Sequence, residues 1–151
     1  MNYNMARLIS LLFLFGILSC GSKKQDPFLN YLDDLKVNNS EFGEIHIFYM
    51  INLNACSDCV ELNLNYLKAN HSQLNLNLII VGYSSQYQDQ IENIDYNVIY
   101  DRNNLASRYG LYNQKPLLVV LKKGEVCKKM NIHDEQVSIL ATFLTCEESN
   151  S

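Results

Sequence analysis

The 151-residue sequence has no run of basic residues, no internal repeat and no apolar stretch long enough for an ordinary membrane-spanning helix. Its formal net charge is −4, so nucleic-acid binding through a cationic face is disfavoured. The longest apolar run, residues 8–18, falls short of the about 20 residues that a spanning helix needs. Hydrophobic residues still make up 48% of the chain, which together with its length predicts one globular domain with a packed core.

The beginning of the chain has the pattern of a secretory signal peptide, with Arg7 as its only charge before the apolar run. The segment Ile17-Leu18-Ser19-Cys20 resembles the lipoprotein box of exported bacterial proteins. That resemblance implies a signal peptide over residues 1–19 and a lipidated Cys20 that opens a polar tether over residues 20–25. The alternative is a plain cleaved signal followed by an unrelated cysteine. Acyl chains on the cysteine would hold the protein at a bacterial membrane, facing the periplasm or extracytoplasmic space.

Strand and helix patterns alternate along the rest of the chain. β-Branched and aromatic runs predict strands, and apolar residues at helical spacing predict helices. The predicted strands are residues 44–51, 74–83, 96–100, 117–121 and 126–132. The predicted helices begin with Asp26 as N-cap and Pro27 as first helical residue, and continue with residues 59–69, 84–93, 102–109 and 134–144.

This order predicts an α/β domain over residues 26–146, followed by a polar tail over residues 147–151. Alternating strands and helices form a parallel sheet with helices on both faces. The last two strands are joined by a hairpin turn at Lys122-Lys123-Gly124-Glu125, so they add an antiparallel edge. We therefore expect a central mixed sheet of five strands.

The most reactive feature is Cys56-Ser57-Asp58-Cys59, where a predicted strand gives way to a helix. Cysteines three residues apart at a helix start have Cα atoms within disulfide range, about 4.4–6.8 Å. The free amides and the positive dipole end at this position stabilise a thiolate, so Cys56 is the expected nucleophile. Cys59, one turn further on, is the expected resolving cysteine. Two alternatives remain open, namely half of a zinc site and a purely structural disulfide.

With these residues in place, the chain resembles the thioredoxin-like superfamily over about residues 40–145. The strand EIHIFYMI followed by CSDC and a helix resembles its redox-active half. The segment YDRNNLASRYGLYNQKPLLVVLKKGEV resembles the second half. It contains, in this order, a predicted helix that ends in tyrosine and glycine, a proline, a strand and a Lys-x-Gly turn. The likeness is strongest to the exported TlpA-like and alkyl-hydroperoxide-reductase-like branches.

The resemblance implies a thioredoxin-like fold and redox chemistry carried by the cysteine pair, with no organic cofactor and no metal. It implies a protein thiol or disulfide as substrate and a second protein as redox partner. By position, Pro116 is the cis-proline of the family, which presents the substrate backbone beside the disulfide. The alternative is an ordinary trans-proline at the start of a strand. Lys115 precedes Pro116, where its cation either stabilises the Cys56 thiolate or faces solvent.

The sequence departs from the family pattern around the cysteines. Ala55 replaces the tryptophan that usually precedes the first cysteine, and the chain has no tryptophan at all. An ionised Asp58 would oppose the effect of the helix dipole on a thiolate. No carboxylate occurs in residues 45–51, and Met50 takes the expected place of the buried acid. Proton transfer to or from Cys59 then needs another group, for which Glu61 is a candidate.

Two further cysteines, Cys127 and Cys146, flank the last predicted strand and helix. A strand and a returning helix of similar length bring their ends together, so these cysteines are expected to lie close. In an oxidising compartment this suggests a structural disulfide, with two buried thiols as the equal alternative.

The sequence therefore favours an enzyme, a thiol–disulfide oxidoreductase of the cell envelope. The alternative function is a thioredoxin-like binding or assembly lipoprotein with an inert Cys56–Cys59 disulfide.

Overall fold

The structure is a computed structural model, and it describes residues 25–37, 44–72, 74–138 and 140–144. The predicted signal peptide, Cys20, Cys146 and the polar tail lie outside these residues. No helix in the described ranges is both long enough and apolar enough to cross a membrane.

Five strands form one mixed sheet, as predicted: β1 (Ile45–Asn52), β2 (Asn77–Val81), β3 (Asn97–Asp101), β4 (Leu117–Lys122) and β5 (Glu125–Asn131). Their order across the sheet is β3-β2-β1-β4-β5. The first three strands pair in parallel, and β4 is antiparallel to both β1 and β5. Four strands, all except β4, therefore end at the same edge of the sheet.

The described residues contain four α-helices: α1 (Pro27–Asp34), α2 (Ser57–Asn70), α3 (Gln88–Glu92) and α4 (Asp134–Val137). The same part of the chain contains three 3₁₀ helices: Ser85–Tyr87, Leu105–Tyr109 and Leu140–Phe143. The first helix begins as predicted, because Asp26 accepts a hydrogen bond from the amide of Phe28 at 2.7 Å. Pro27 suits the first helical position because it has no amide hydrogen that would be left without an acceptor.

The sheet is covered on both faces, as the alternation of side chains along β1 shows. Tyr49 and Ile51 point to the face packed by α2, α3 and α4. Phe48 and Met50 point to the opposite face, where α1 contributes Phe28, Tyr31 and Leu32. These β1 residues are at most 4% exposed, so two apolar layers sandwich the sheet. The domain has the α/β fold with a central mixed five-stranded sheet that the sequence predicts.

Three predicted helices differ from the observed ones. Residues 84–93 divide into a 3₁₀ turn and the short α3, and residues 102–109 form only a 3₁₀ helix from Leu105. In place of the predicted helix 134–144, the structure has α4 up to Val137 and a 3₁₀ helix from Leu140 to Phe143.

Two turns behave as their sequences predict. Lys123 and Gly124 both have positive φ angles, 53° and 78°, which the type I′ turn of a two-residue hairpin requires. Gly110 ends its 3₁₀ helix in the left-handed conformation, at φ 67°. The second strand is shorter than predicted, since its pairing begins only where Asn77 lies beside Phe48.

Candidate redox site

Cys56 and Cys59 form a disulfide at the start of α2, with their Cα atoms 5.3 Å apart. Cys56 is the N-cap residue, and its sulfur accepts a hydrogen bond from the amide of Cys59 at 3.2 Å. Cys56 is exposed, whereas Cys59 is half-buried. The sulfur of Cys56 is thus accessible to another protein and faces the positive end of a fourteen-residue helix.

The loop before the disulfide is held by Asn52, which is 6% exposed at the end of β1. Its side-chain oxygen accepts from the amide of Asn54 at 3.0 Å. Its side-chain nitrogen donates to the carbonyl of Asn113 at 3.3 Å. One buried amide side chain therefore joins the loop before the cysteines to the loop before the proline. Gly82, at φ 84°, makes room for Asn54, because a Cβ there would lie 2.6 Å from its side-chain nitrogen.

A buried network supports the first turn of α2 from below. The hydroxyl of Tyr49 donates to the side-chain oxygen of Asn63, and the Asn63 nitrogen donates to the carbonyl of Cys59 at 2.7 Å. Both Tyr49 and Asn63 are fully buried, and burial is the main cause that raises the pKa of Tyr49. Tyr87 adds a hydrogen bond to the carbonyl of Ser57 at 3.3 Å.

Hydrogen bonds of the buried side chains Tyr49 and Asn63 lie under Cys59, on the side of the sheet where the first strand has no acidic residue. Met50, the residue at the expected position of the family's buried acid, packs in the cluster on the α1 face of the sheet. Tyr49 of β1 lies on the face packed by α2, and it carries a hydroxyl rather than a carboxylate. Glu61, the candidate substitute, is exposed on α2.

Pro116 lies beside the disulfide, as its position in the sequence suggests. It is buried and shares a shallow crevice with Ala55, Cys59 and Val60. The expectation of a cis peptide bond was wrong: none occurs in the described ranges, so the bond between Lys115 and Pro116 is trans. The trans isomer is the intrinsically favoured one, by about 0.5–1 kcal/mol for a bond before proline.

The side chain of Lys115 lies against His133. Its ammonium nitrogen is 2.7 Å from His133 Nδ1 and 3.3 Å from Nε2. Both residues are exposed at the rim of the site. The cation is therefore directed to the segment after β5.

The residue after that histidine, Asp134, has a carboxylate at the disulfide. Its Oδ2 lies 4.0 Å from the sulfur of Cys59. Sequence reasoning did not identify Asp134 as a site residue, because 75 positions separate it from Cys59. The available signal is topological: β5 runs parallel to β1, so both strands end at the edge of the sheet that carries the cysteines.

Cys127 lies in β5, where its sulfur is 3.2 Å from the carbonyl oxygen of Val120. Its predicted partner Cys146 lies outside the described residues, and the pairing of these two cysteines stays a prediction. The same holds for lipidation of Cys20. Across the described ranges, no three His, Cys, Asp or Glu side chains are grouped so that they could hold a metal ion.

Comparisons with known proteins give structural neighbours and no sequence relatives. No protein-family model matches the chain, and no curated protein sequence matches it. Similar solved structures include a secreted disulfide oxidoreductase of Mycobacterium tuberculosis homologous to E. coli DsbE, with 16% identity, TM-score 0.48, and coverage of 70% of this chain and 85% of that one.

Two others are similar at comparable levels. StoA of Bacillus subtilis has 19% identity and a TM-score of 0.42, with 68% of this chain and 84% of that chain covered. The bacterioferritin comigratory protein of Xanthomonas campestris, associated with alkyl peroxide reduction, has 11% identity and a TM-score of 0.47, with 68% and 77% covered.

Proposed function

We propose that the protein is a thiol–disulfide oxidoreductase of the bacterial cell envelope, exchanging disulfides with protein partners through Cys56 and Cys59. The observation that carries the proposal is the asymmetry of the pair: an exposed sulfur at the helix N-cap is joined to a half-buried one a turn further on. The helix dipole and the Cys59 amide favour a thiolate on Cys56. Cys59 is then placed to resolve the mixed disulfide.

Substrate binding is assigned to the crevice beside the disulfide. Pro116 forms its buried wall, and the preceding residue, Lys115, is exposed. In this proposal an extended segment of the partner protein lies along Pro116 with its own sulfur against Cys56. The electrons reside in the two cysteines of the chain and pass to or from a second redox protein.

The experiment measures the reduction potential of the Cys56–Cys59 pair against glutathione, together with the alkylation rate of each thiol in the reduced protein. We expect a potential above about −300 mV and faster alkylation of Cys56 than of Cys59. Cys59→Ser should trap a mixed disulfide on Cys56, and Cys56→Ser should trap none.

A specific observation favours a second candidate, a binding or assembly module with an inert disulfide. Ala55 leaves the surface before Cys56 without an aromatic side chain, and Asp58 lies in the first turn of α2. A potential far below −300 mV, combined with slow alkylation of Cys56, would support this candidate and contradict the oxidoreductase.

Attachment to a membrane through Cys20 is part of the proposal and has its own test. In a bacterial host, the unchanged chain should take up a labelled fatty acid and fractionate with membranes. Cys20→Ala should lose the label and leave the membrane fraction. A chain that is cleaved and released without label would contradict lipid anchoring and leave the redox proposal intact.

A further inference from the structure

We propose that Asp134 is a catalytic residue of the redox site, which takes the proton from Cys59 when that cysteine resolves a mixed disulfide and returns it in the reverse direction. This inference rests on the proposed oxidoreductase function. It starts from the distance of 4.0 Å between Asp134 Oδ2 and Cys59 Sγ, which is within reach of an S–H donor once the disulfide is reduced.

Buried contacts on both sides of Asp134 hold its backbone in place. Ile132, fully buried, donates from its amide to the carbonyl of Pro116 at 2.8 Å. Val137 is 2% exposed in the core cluster under α2. Tyr66 of α2 donates to the carbonyl of Ser138 at 3.4 Å. The start of α4 is thus fixed to the proline loop on one side and to the helix of Cys59 on the other.

The same segment is closed locally by two hydrogen bonds. The amide of His133 donates to the side-chain oxygen of Gln136 at 3.0 Å, and the amide of Gln136 donates back to the carbonyl of His133 at 2.8 Å. These bonds fix the first turn of α4, in which Asp134 is the first residue. The carboxylate itself is exposed, so a proton taken from Cys59 can pass to water.

The step balances as follows, starting from Cys56 joined to a substrate sulfur. Cys59 gives its proton to Asp134 as its sulfur attacks the sulfur of Cys56. The bond between Cys56 and the substrate breaks, and the substrate leaves as a thiolate with the electron pair. The protein pair is oxidised to the disulfide, the substrate sulfur is reduced, and Asp134 then releases its proton to water.

The other titratable groups around this carboxylate are less suited to the role. Tyr49, on β1, is buried and its hydroxyl is bound to Asn63. Tyr66, on α2, donates to a backbone carbonyl. Across the proline loop, Lys115 carries a positive charge directed at His133, while Glu135 lies 4.0 Å from the Nδ1 of that histidine. Asp134 is the carboxylate that contacts the sulfur of Cys59.

The test uses the full chain with Cys20→Ser, reduced at the Cys56–Cys59 pair and mixed rapidly with dithiobis-nitrobenzoate. Attack by Cys56 releases one thionitrobenzoate, and resolution by Cys59 releases a second; Cys59→Ser shows the first step alone. We expect Asp134→Asn to slow the second release by about 10- to 100-fold near neutral pH, the low end for general acid–base groups because water competes. The first release should stay within about 2-fold.

The pH profile separates proton transfer from a structural effect. The deficit of Asp134→Asn should shrink as the pH rises and Cys59 ionises without help, and Asp134→Glu should recover part of the rate. Glu135→Gln, on the same turn, is the matched control and should leave both steps unchanged. Equal or faster resolution in Asp134→Asn at every pH would overturn the inference while leaving the oxidoreductase intact. A Cys56 that releases nothing in the unchanged pair would overturn the proposed function itself.

Discussion

Asp101 and Asp134 lie at the same edge of the sheet, yet their carboxylates have opposite surroundings. Asp101 ends β3, is 1% exposed and accepts three hydrogen bonds, from the hydroxyl of Tyr31 and the amides of Leu105 and Ala106, at 2.8–3.1 Å. Asp134 follows β5, is exposed and lies against the sulfur of Cys59. The first carboxylate organises the fold, whereas the second is placed for chemistry.

Burial and hydrogen bonding decide whether each of these carboxylates contributes to stability or to proton transfer. A buried carboxylate that satisfies three donors cannot be removed without leaving those donors unpaired, so its contribution is to stability. An exposed carboxylate contributes little to stability but can exchange a proton with water and with a neighbouring thiol. Substitutions at the two positions should therefore affect different measurements.

The largest effect should come from Asp101→Ala. It leaves the hydroxyl of Tyr31, the buried amide of Ala106 and the partly buried amide of Leu105 without an acceptor, and we expect a loss of about 3 kcal/mol in the free energy of unfolding. Urea unfolding of Asp101→Ala and of the unchanged protein measures this loss. Asp134→Ala is the matched control and should change the free energy by less than about 0.5 kcal/mol. Similar losses in the two variants would contradict the division of roles.

A smaller effect should come from Tyr31→Phe, which removes one of the three donors to Asp101. At neutral pH the expected loss is about 1 kcal/mol, because the two amides still satisfy the carboxylate. Tyr112→Phe, at a residue 45% exposed, should cost less than about 0.5 kcal/mol.

Tyr31→Phe should also change how the free energy of unfolding depends on pH under alkaline conditions. Burial first, and then the charge and hydrogen bond of Asp101, raise the pKa of Tyr31 in the folded protein. In the unfolded chain a tyrosine ionises near pH 10, so the stability that protonated Tyr31 gives is complete below that pH and is lost above it. The contribution falls by about 1.4 kcal/mol per pH unit.

Urea unfolding from about pH 9 to pH 11 measures this slope. Tyr31→Phe should lose stability less steeply above pH 10 than the unchanged protein does. Parallel curves for the two proteins would contradict a buried, carboxylate-bonded hydroxyl at this position.

The fold could be predicted because its signals are local. The first strand is dense in β-branched and aromatic residues, and Asp26-Pro27 and Lys123-Gly124 adopt the cap and the turn that their chemistry favours. The breaks in the last predicted helix could not be predicted, because apolar periodicity does not separate α from 3₁₀ geometry over a few residues. The trans bond before Pro116 shows that a position matched to a family does not by itself specify an isomer.

The spacing of Cys56 and Cys59 in the sequence was enough to identify the cysteine pair. It was not enough to identify the side chains that surround the pair in the fold. Tyr49 and Asn63 meet because a strand and a helix pack face to face. Asp134 meets Cys59 because β4 is antiparallel to both β1 and β5, so that β1 and β5 end at the same edge of the sheet. These contacts depend on the order of the strands across the sheet. The alternation of strands and helices along the chain does not determine that order. Sequence analysis did not identify Asp101 as a structural residue, because its three donors come from two other helices.

The smallest effect should be on the reduction potential of the Cys56–Cys59 pair. Asp134→Asn removes a negative charge beside the sulfur of Cys59, which favours the reduced state and raises the potential. An exposed charge contributes at most about 0.5 kcal/mol, which corresponds to about 10 mV for a two-electron couple. Equilibration with glutathione measures the shift, and Glu135→Gln should move the potential by less. A lowered potential would give the wrong sign, and a rise above about 60 mV would mean that Asp134 governs the equilibrium of the pair rather than the rate of proton transfer.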